Sequence, residues 1–365
     1  MKRKGLFVVH IRGPLNGAKV ISKLILDHYN DNHLFIDIAS AYNETGSSGK
    51  FSVKKILESA LHTYKIITCT IIKKPDFIYY SFTPTGFART RDYFINLVLR
   101  LIGSKKIIFH FHAEFEEEKK YTLLDSFIFS KSHAICLNPE QSCRLQSATS
   151  ILKQNIHLIP NRIIDPDKAS QISIQSLISH RLSRPQKKLL FLSNLMKGKG
   201  AEIAIKAFFT LKKRHPDIGL IIAGKTLDHD YRSLLHKLCL SSPEYAKDVE
   251  FFGEANEEAK DYLYRNSSAF LFTSKLPETF GLVNLEALSY ALPIFSLKTP
   301  ASHYFIKNGV NGYIVSDEND LAEKLDTVIS SSSRLERMMR ASAEKSREFY
   351  KDIFFSEIDN ALERL

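Results

Sequence analysis

The sequence predicts an α/β fold of two Rossmann-like domains, each a parallel sheet flanked by helices. Three observations carry this prediction. At 365 residues the chain exceeds what one hydrophobic core usually supports, so two domains of roughly 150 to 200 residues are expected, enough for a deep cleft between them. Short apolar runs alternate with helix-period stretches along almost the whole length, the pattern of successive βαβ units. The alternation breaks once, in polar sequence between residues 166 and 188, which reads as a linker. The expected organisation is therefore a first domain over 1–165, the linker, a second domain over 189–340 and a terminal helical stretch over 341–365.

In the first domain the strand-like runs are Leu6–Val9, Leu34–Ile36, Lys65–Ile72, Phe77–Tyr80, Ile107–Phe111, Ala134–Leu137 and Ile156–Ile159. Residues 81–86 are turn-rich, and 87–102 place apolar residues at three- and four-residue steps with arginines between. That is an amphipathic helix, expected to pack on the sheet, with contact to a membrane surface as the alternative. Beyond the linker, a strand at Leu189–Leu192 precedes a helix from about Ala201 to Arg214, and the second series continues. Its strands are Gly219–Ala223, Val249–Phe252, Ala269–Phe272 and Ile294–Ser296; its helices are Tyr231–Leu240, Glu257–Tyr264 and Leu282–Ala291. Ser330–Ser333 reads as a loop.

Composition narrows the function classes. With 44% hydrophobic and 25% charged residues the chain is ordinary for a globular protein, and no apolar run approaches the roughly 18 residues that span a bilayer. The basic start is followed by too short an apolar run for a secretory signal, so a cytoplasmic setting is expected. Cys69, Cys136, Cys143 and Cys239 form no CxxC and no zinc-finger spacing. The net charge of +11 is uneven: residues 1–165 hold 23 Lys/Arg against 14 Asp/Glu, the remainder 28 against 26. A basic first domain attracts phosphate-rich or anionic partners, or is a generally solvated surface.

Several segments carry chemistry. Pro277-Glu278-Thr279-Phe280-Gly281-Leu282 follows a strand and leads into a helix that holds Glu286. Glu278 stands at the strand's C-terminal edge, where open α/β sheets bind ligands, and the amides from Phe280 to Val283 at the helix start suit a diphosphate. Glu286, about one turn in, suits the neutral hydroxyls of a sugar or ribose. A capped helix with a solvated glutamate is the alternative. The loop from Gly13 to Lys19 lies between the first strand and its helix; Gly17 is its candidate ligand contact, and an ordinary tight turn is the alternative. His110 and His112 alternate on a strand and share one face, but no third ligand indicates a metal. Glu114, Glu116, Glu117 and Glu118 read as a solvated acidic face, with Glu114 also placed to approach an acceptor. Asp228-His229-Asp230 resembles a metal-binding DxD, but precedes a helix and is explained by an Asp cap.

The segment from Pro277 to Pro293 resembles the E-x7-E signature of retaining glycosyltransferases of family 4, which have the GT-B fold, and the similarity continues to Asn311-Gly312. Residues 190–208 resemble the first strand, loop and helix of that family's donor domain. His215–Gly224 and Val249–Gly253 resemble its next two strands, and Ile159-Pro160-Asn161 the end of its first domain. The resemblance covers nearly the whole chain and is strongest from about 155 to 315. It implies two Rossmann-like domains facing across a cleft, with the terminal stretch crossing back to the first. It also implies a nucleotide-diphosphate-sugar donor and no metal or redox cofactor.

By this resemblance Glu286 holds the ribose hydroxyls, Glu278 contacts the donor sugar, and the backbone of Phe280, Gly281 and Leu282 cradles sugar and phosphate. Lys199 neutralises the diphosphate; Gly224 and Gly253 bind the donor within the second domain, and Gly17 faces it from the first; His112, with His110 second, lies near the transferred sugar. The family usually has an arginine where this chain has Asn194. Either Asn194 hydrogen-bonds a phosphate oxygen or Lys197 supplies the missing charge. No second carboxylate matches a double-displacement pair, so the implied retention has the acceptor attack from the leaving-group face.

The implied activity is hexosyl-type transfer to a glycan or lipid-linked hydroxyl in cell-surface polysaccharide assembly, peripheral at an anionic inner membrane face. A nucleotide-sugar 2-epimerase of the same fold is the alternative enzyme. A basic nucleic-acid-binding protein is the alternative class, disfavoured because aromatic-rich basic motifs are missing and Glu286 repels phosphate. An NAD enzyme is disfavoured because neither half shows GxGxxG after its opening strand.

Overall fold

Parallel strands form two separate six-stranded sheets in a computed structural model that describes residues 3–13, 16–39, 53–104, 106–114, 122–276 and 278–365. Unit 1 comprises residues 1–161 with Phe354–Leu365, and unit 2 comprises Arg162–Ile353. The expected acidic residues Glu116, Glu117 and Glu118, and Pro14 and Leu15 of the first loop, lie outside the described residues.

Unit 1 runs β1 (Gly5–Val9), α1 (Gly17–Tyr29), β2 (Leu34–Asp37), α2 (Val53–Lys73), β3 (Phe77–Phe82), α3 (Gly86–Leu101), β4 (Ile107–Phe111), α4 (Leu123–Phe129), β5 (His133–Cys136), α5 (Pro139–Ala148) and β6 (Ile156–Leu158), with strand order β2-β1-β3-β4-β5-β6. β1, β3 and β4 are buried along their whole length, as strands covered by helices on both sides must be. On one face of β1, Phe7 stacks with Tyr29, Phe35 and Tyr79 at ring separations of 4.9–5.2 Å. On the other, Leu6 and Val8 join Phe82, Phe109 and Phe111 in the main core of the unit.

One expected strand is a helix. Lys65–Ile72 lies inside α2, although its β-branched residues favour a strand. The buried positions explain this: Thr63 and Ile66 face inward three residues apart, while Tyr64, Lys65, Ile71 and Ile72 are exposed. α3 packs through Ile95 and Leu99, as its apolar spacing predicts.

The polar stretch expected as a linker instead folds into α6 (Pro166–Ser170) and α7 (Ile174–Ser183), both part of unit 2. Arg181 on α7 is fully buried, and its guanidinium donates to the carbonyls of Tyr264, Arg265 and Ala291 at 2.6, 3.2 and 3.4 Å. Burial lowers its pKa to about 9. A polar sequence hides this clamp because its partners are distant carbonyls, which composition cannot reveal.

Unit 2 continues with β7 (Lys187–Leu192), α8 (Ala201–Lys212), β8 (Ile218–Ala223), α9 (His229–Leu240), α10 (Pro243–Ala246), β9 (Val249–Gly253), α11 (Glu257–Asn266), β10 (Ala269–Phe272), α12 (Leu282–Ser289), β11 (Ile294–Leu297), α13 (Ser302–Phe305), β12 (Gly312–Val315), α14 (Glu318–Ile329) and α15 (Ser332–Ser346). The strand order is β12-β11-β10-β7-β8-β9, with β12 an addition to the strands read from the sequence. The chain ends in α16 (Lys351–Glu363). Of the terminal stretch 341–365, only the part from Phe354 belongs to unit 1, where Phe355 stacks on His28 and Asp359 accepts from Tyr29 Oη at 2.6 Å. Residues 341–353 stay with unit 2, because α15 buries Met338, Met339 and Ser342 there.

Candidate functional site

The C-terminal edge of the unit 2 sheet gathers the candidate residues of that half. Two of its loops, after β7 and after β10, are tied together by backbone. Gly200, at φ +83°, lies so close to β10 that a Cβ on it would stand 1.8 Å from the Thr273 carbonyl oxygen. Thr273 Oγ1 donates to the Gly200 carbonyl at 2.7 Å, and Lys275 N donates to the Gly198 carbonyl at 2.8 Å. Only glycine meets both the positive φ and this approach. The tie brings Lys199 to Glu278: the ammonium and the carboxylate form an ion pair, and Ser274 Oγ donates to the same carboxylate oxygen at 3.1 Å. Asn194 and Lys197, the two alternatives for the missing arginine, are both exposed.

Glu278 leads into α12, whose N-cap is Gly281 at φ +76°. A side chain there would meet Asn284 Nδ2 and Phe272 Cζ, each at 2.8 Å. At the start of α12 the Asn284 amide donates back to the Gly281 carbonyl at 3.0 Å, which leaves the Leu282 and Val283 amides facing outward with the partial positive charge of the helix start. Phe280 contributes backbone only, because its ring is buried against Phe305 and Phe349. Leu282 opens the helix half-exposed.

Glu286, one turn on, does not stand alone. Its carboxylate accepts from Lys260 Nζ at 3.2 Å and from Tyr264 Oη at 2.8 Å. Both donors come from α11, four residues apart on one face. Although burial opposes its charge, Lys260 is held above its ordinary pKa by Glu286 and Glu257, and burial pushes the Tyr264 hydroxyl up, with Glu286 adding to it. The sequence reading missed both residues; their i, i+4 spacing was visible, their partner was not. Gly224 closes β8 with φ +146°, where a Cβ would stand 1.8 Å from the Ser193 carbonyl oxygen, and its N–H donates to Gly253 O at 2.7 Å. At Gly253, φ +89°, a Cβ would meet nothing within 4 Å. Asp228 caps α9, accepting from Tyr231 N at 2.9 Å.

In unit 1, Asn16 caps α1 by accepting from Lys19 N at 3.0 Å, and Gly17 is the exposed first residue of that helix. His110 and His112 share a face, their rings 4.0 Å apart. His110 pairs with the Tyr79 hydroxyl, whereas both ring nitrogens of His112 are buried without a partner among the described residues. Burial lowers the pKa of His112 to about 4, so its ring is neutral at pH 7, and lowers that of His110 as well. Glu114 accepts from Asn138 Nδ2 at 2.7 Å, and burial raises its carboxyl. Among the described residues no group of three His, Cys, Asp or Glu is arranged to hold a metal.

Two parallel α/β sheets with this succession of elements define a protein of the GT-B fold, and the solved structures of that fold agree. Anabaena HepE in complex with UDP matches at a TM-score of 0.74 and 19% identity, covering 99% of this chain and all of that one. WaaG, a glycosyltransferase involved in lipopolysaccharide biosynthesis, matches at 0.65 and 15%, covering 98% of each. Residues 176–346, which lie within unit 2, match the family model of glycosyl transferases group 1. Spore coat protein SA of Bacillus subtilis is 30% identical over 167 residues, 43% of each chain. The chain spans about half or less of the length of the curated relatives it matches.

Proposed function

We propose that the chain is a retaining, metal-independent glycosyltransferase that moves a hexose from a nucleoside-diphosphate-sugar to a hydroxyl of a glycan or lipid-linked acceptor, in cell-surface polysaccharide assembly. The observation that carries this reading is the convergence of Lys199, Glu278 and the start of α12, with Glu286 one turn beyond. A cation and helix amides suit a diphosphate, and the two carboxylates suit the hydroxyls on either side of it, sugar at Glu278 and ribose at Glu286. Asn194 adds a neutral donor at the same edge. UDP is the favoured nucleotide because HepE was solved with it, and WaaG's part in lipopolysaccharide biosynthesis supports the setting.

In the proposed reaction the acceptor oxygen bonds the anomeric carbon on the face from which the nucleoside diphosphate departs, and the departing phosphate takes the acceptor's proton. Lys199 and the α12 amides receive the charge that grows on the leaving group. His112 and Gly17 are assigned to the donor by the family resemblance; a neutral His112 with two unmet ring nitrogens has a hydrogen bond to offer a sugar hydroxyl.

Peripheral membrane contact belongs to the same reading. Eleven of the twenty exposed large apolar side chains among the described residues lie on α2, α3 and α4, neighbouring helices of unit 1. Lys65, Lys73 and Lys74 are exposed beside them. Apolar tips with lysines suit an anionic lipid surface, and no described helix is long and apolar enough to cross a membrane.

The test is incubation with UDP-, GDP- and ADP-sugars in excess EDTA, following nucleoside diphosphate release. Release with a chelator present supports the proposal; loss of all activity on chelation, restored by manganese, overturns its metal independence.

A further inference from the structure

Glu286 is clamped from behind, and the clamp leaves it with a definite capacity. An ionised carboxylate offers about four lone-pair positions, two on each oxygen. Lys260 Nζ takes one on Oε1 at 3.2 Å and Tyr264 Oη takes one on Oε2 at 2.8 Å. One acceptor position remains on each oxygen, the number that two adjacent hydroxyls require, and the Glu286 side chain is about a quarter exposed.

The donors are themselves fixed. Tyr264 is buried, stacks on Tyr290 at 5.2 Å, and its carbonyl accepts from the buried Arg181 at 2.6 Å. Tyr290 Oη in turn donates to Asp261 on α11 at 2.6 Å. Lys260 adds a charge argument: a carboxylate one turn from a phosphate-binding helix start repels the phosphate unless a cation offsets it, and Lys260, which also reaches the far more exposed Glu257 at the same 3.2 Å, provides that offset.

We propose that Lys260 and Tyr264 are positioning residues that orient and neutralise Glu286 for a vicinal diol, the ribose of the donor nucleotide. This rests on the reading of Glu286 as the ribose acceptor. It extends that reading to α11, whose two residues set how strongly ribose is preferred over 2′-deoxyribose without touching the nucleotide themselves.

The experiment is calorimetric titration of the full chain with UDP, GDP and ADP, each beside its 2′-deoxy counterpart, for wild type, Glu286→Gln, Tyr264→Phe and Lys260→Met. Melting temperatures are recorded for all four; Phe keeps the ring and its stacking. Wild type is expected to favour the ribonucleotide by about tenfold, the value of one hydrogen bond to a charged group. Tyr264→Phe is expected to weaken ribonucleotide binding by about threefold to tenfold with the 2′-deoxy affinity within twofold; Lys260→Met, which also uncovers the Glu286 charge to the phosphate, is expected to weaken both nucleotides but the ribonucleotide about threefold more, so that the preference shrinks in each variant. Equal loss for both sugars would make the clamp a merely structural support and overturn the proposal. So would an unchanged preference in both variants when Glu286→Gln abolishes it, which leaves Glu286 reading ribose unaided. A wild-type protein without preference, or Glu286→Gln with the wild-type preference, would overturn the ribose assignment itself and the proposal with it.

Discussion

Replacing Lys199 by alanine removes the cation that the loop tie through Gly200 brings against Glu278. Each partner keeps only 19% of its side-chain surface exposed, so the ammonium acts in surroundings less polar than water. At a separation of roughly 4 Å two unit charges attract by about 1 kcal/mol in water and about 4 kcal/mol at an effective dielectric constant of 20. Breaking the glycosidic bond adds about one charge to the diphosphate, so the ammonium favours the transition state over the bound donor by between about 1 and 4 kcal/mol, roughly tenfold to a thousandfold in rate. The alanine variant is therefore expected to lose about a hundredfold in turnover at saturating donor while donor affinity changes far less. Nucleoside diphosphate release with excess UDP-sugar measures the first, calorimetry the second. Lys197→Ala, two residues away and exposed, is the control. A Lys199→Ala enzyme within about threefold of wild type, beside a crippled Lys197→Ala enzyme, would refute the reasoning and move the phosphate cation by two positions.

Other outcomes follow from the same contacts. Arg181→Met leaves three buried carbonyls without their donor and is expected to destabilise the chain by roughly 3 kcal/mol in urea unfolding; a loss under about 0.5 kcal/mol would show that the clamp is dispensable. Gly200→Ala places a Cβ against the Thr273 carbonyl and should cost about 2 kcal/mol or more together with donor affinity, which a variant of wild-type stability and affinity would contradict. His112 and His157 have folded pKa values of about 4, below the unfolded value of about 6.5, because burial disfavours their charged forms. Above pH 6.5 both are neutral whether folded or not. Below it the unfolded chain takes up protons first, so stability should fall between pH 6.5 and 4, and a flat unfolding free energy across that window would rule this out. Leu57→Glu with Leu61→Glu should abolish sedimentation with anionic vesicles and leave donor binding intact; undiminished sedimentation would clear α2 of membrane contact.

Every strand but β12 was legible because parallel, doubly covered strands are continuous apolar runs, and Leu6–Val9 or Ile107–Phe111 cannot be mistaken for surface; β12 is four residues long, opens on a glycine and is only half-buried at its centre. Lys65–Ile72 misled for the same reason: eight residues rich in Ile and Thr resemble a strand, and only the inward spacing of Thr63 and Ile66 marks the helix. Lys199, Glu278 and Gly281 could be singled out, but not the close approach of Gly200 to Thr273 nor the ion pair itself, whose partners are 79 residues apart. The Lys260 and Tyr264 clamp and the Arg181 tie were invisible for a related reason. Their side chains are ordinary in helices, and what distinguishes them is a distant partner that no local pattern encodes.

The most direct measurement is a crystal structure of the chain with UDP and with a non-reactive UDP-sugar analogue. The account predicts diphosphate oxygens within hydrogen-bond distance of the amides at the start of α12 and of Lys199 Nζ, ribose hydroxyls on the Glu286 carboxylate and the sugar against Glu278. A nucleotide bound with its ribose away from Glu286, or its diphosphate away from the α12 start, would contradict it.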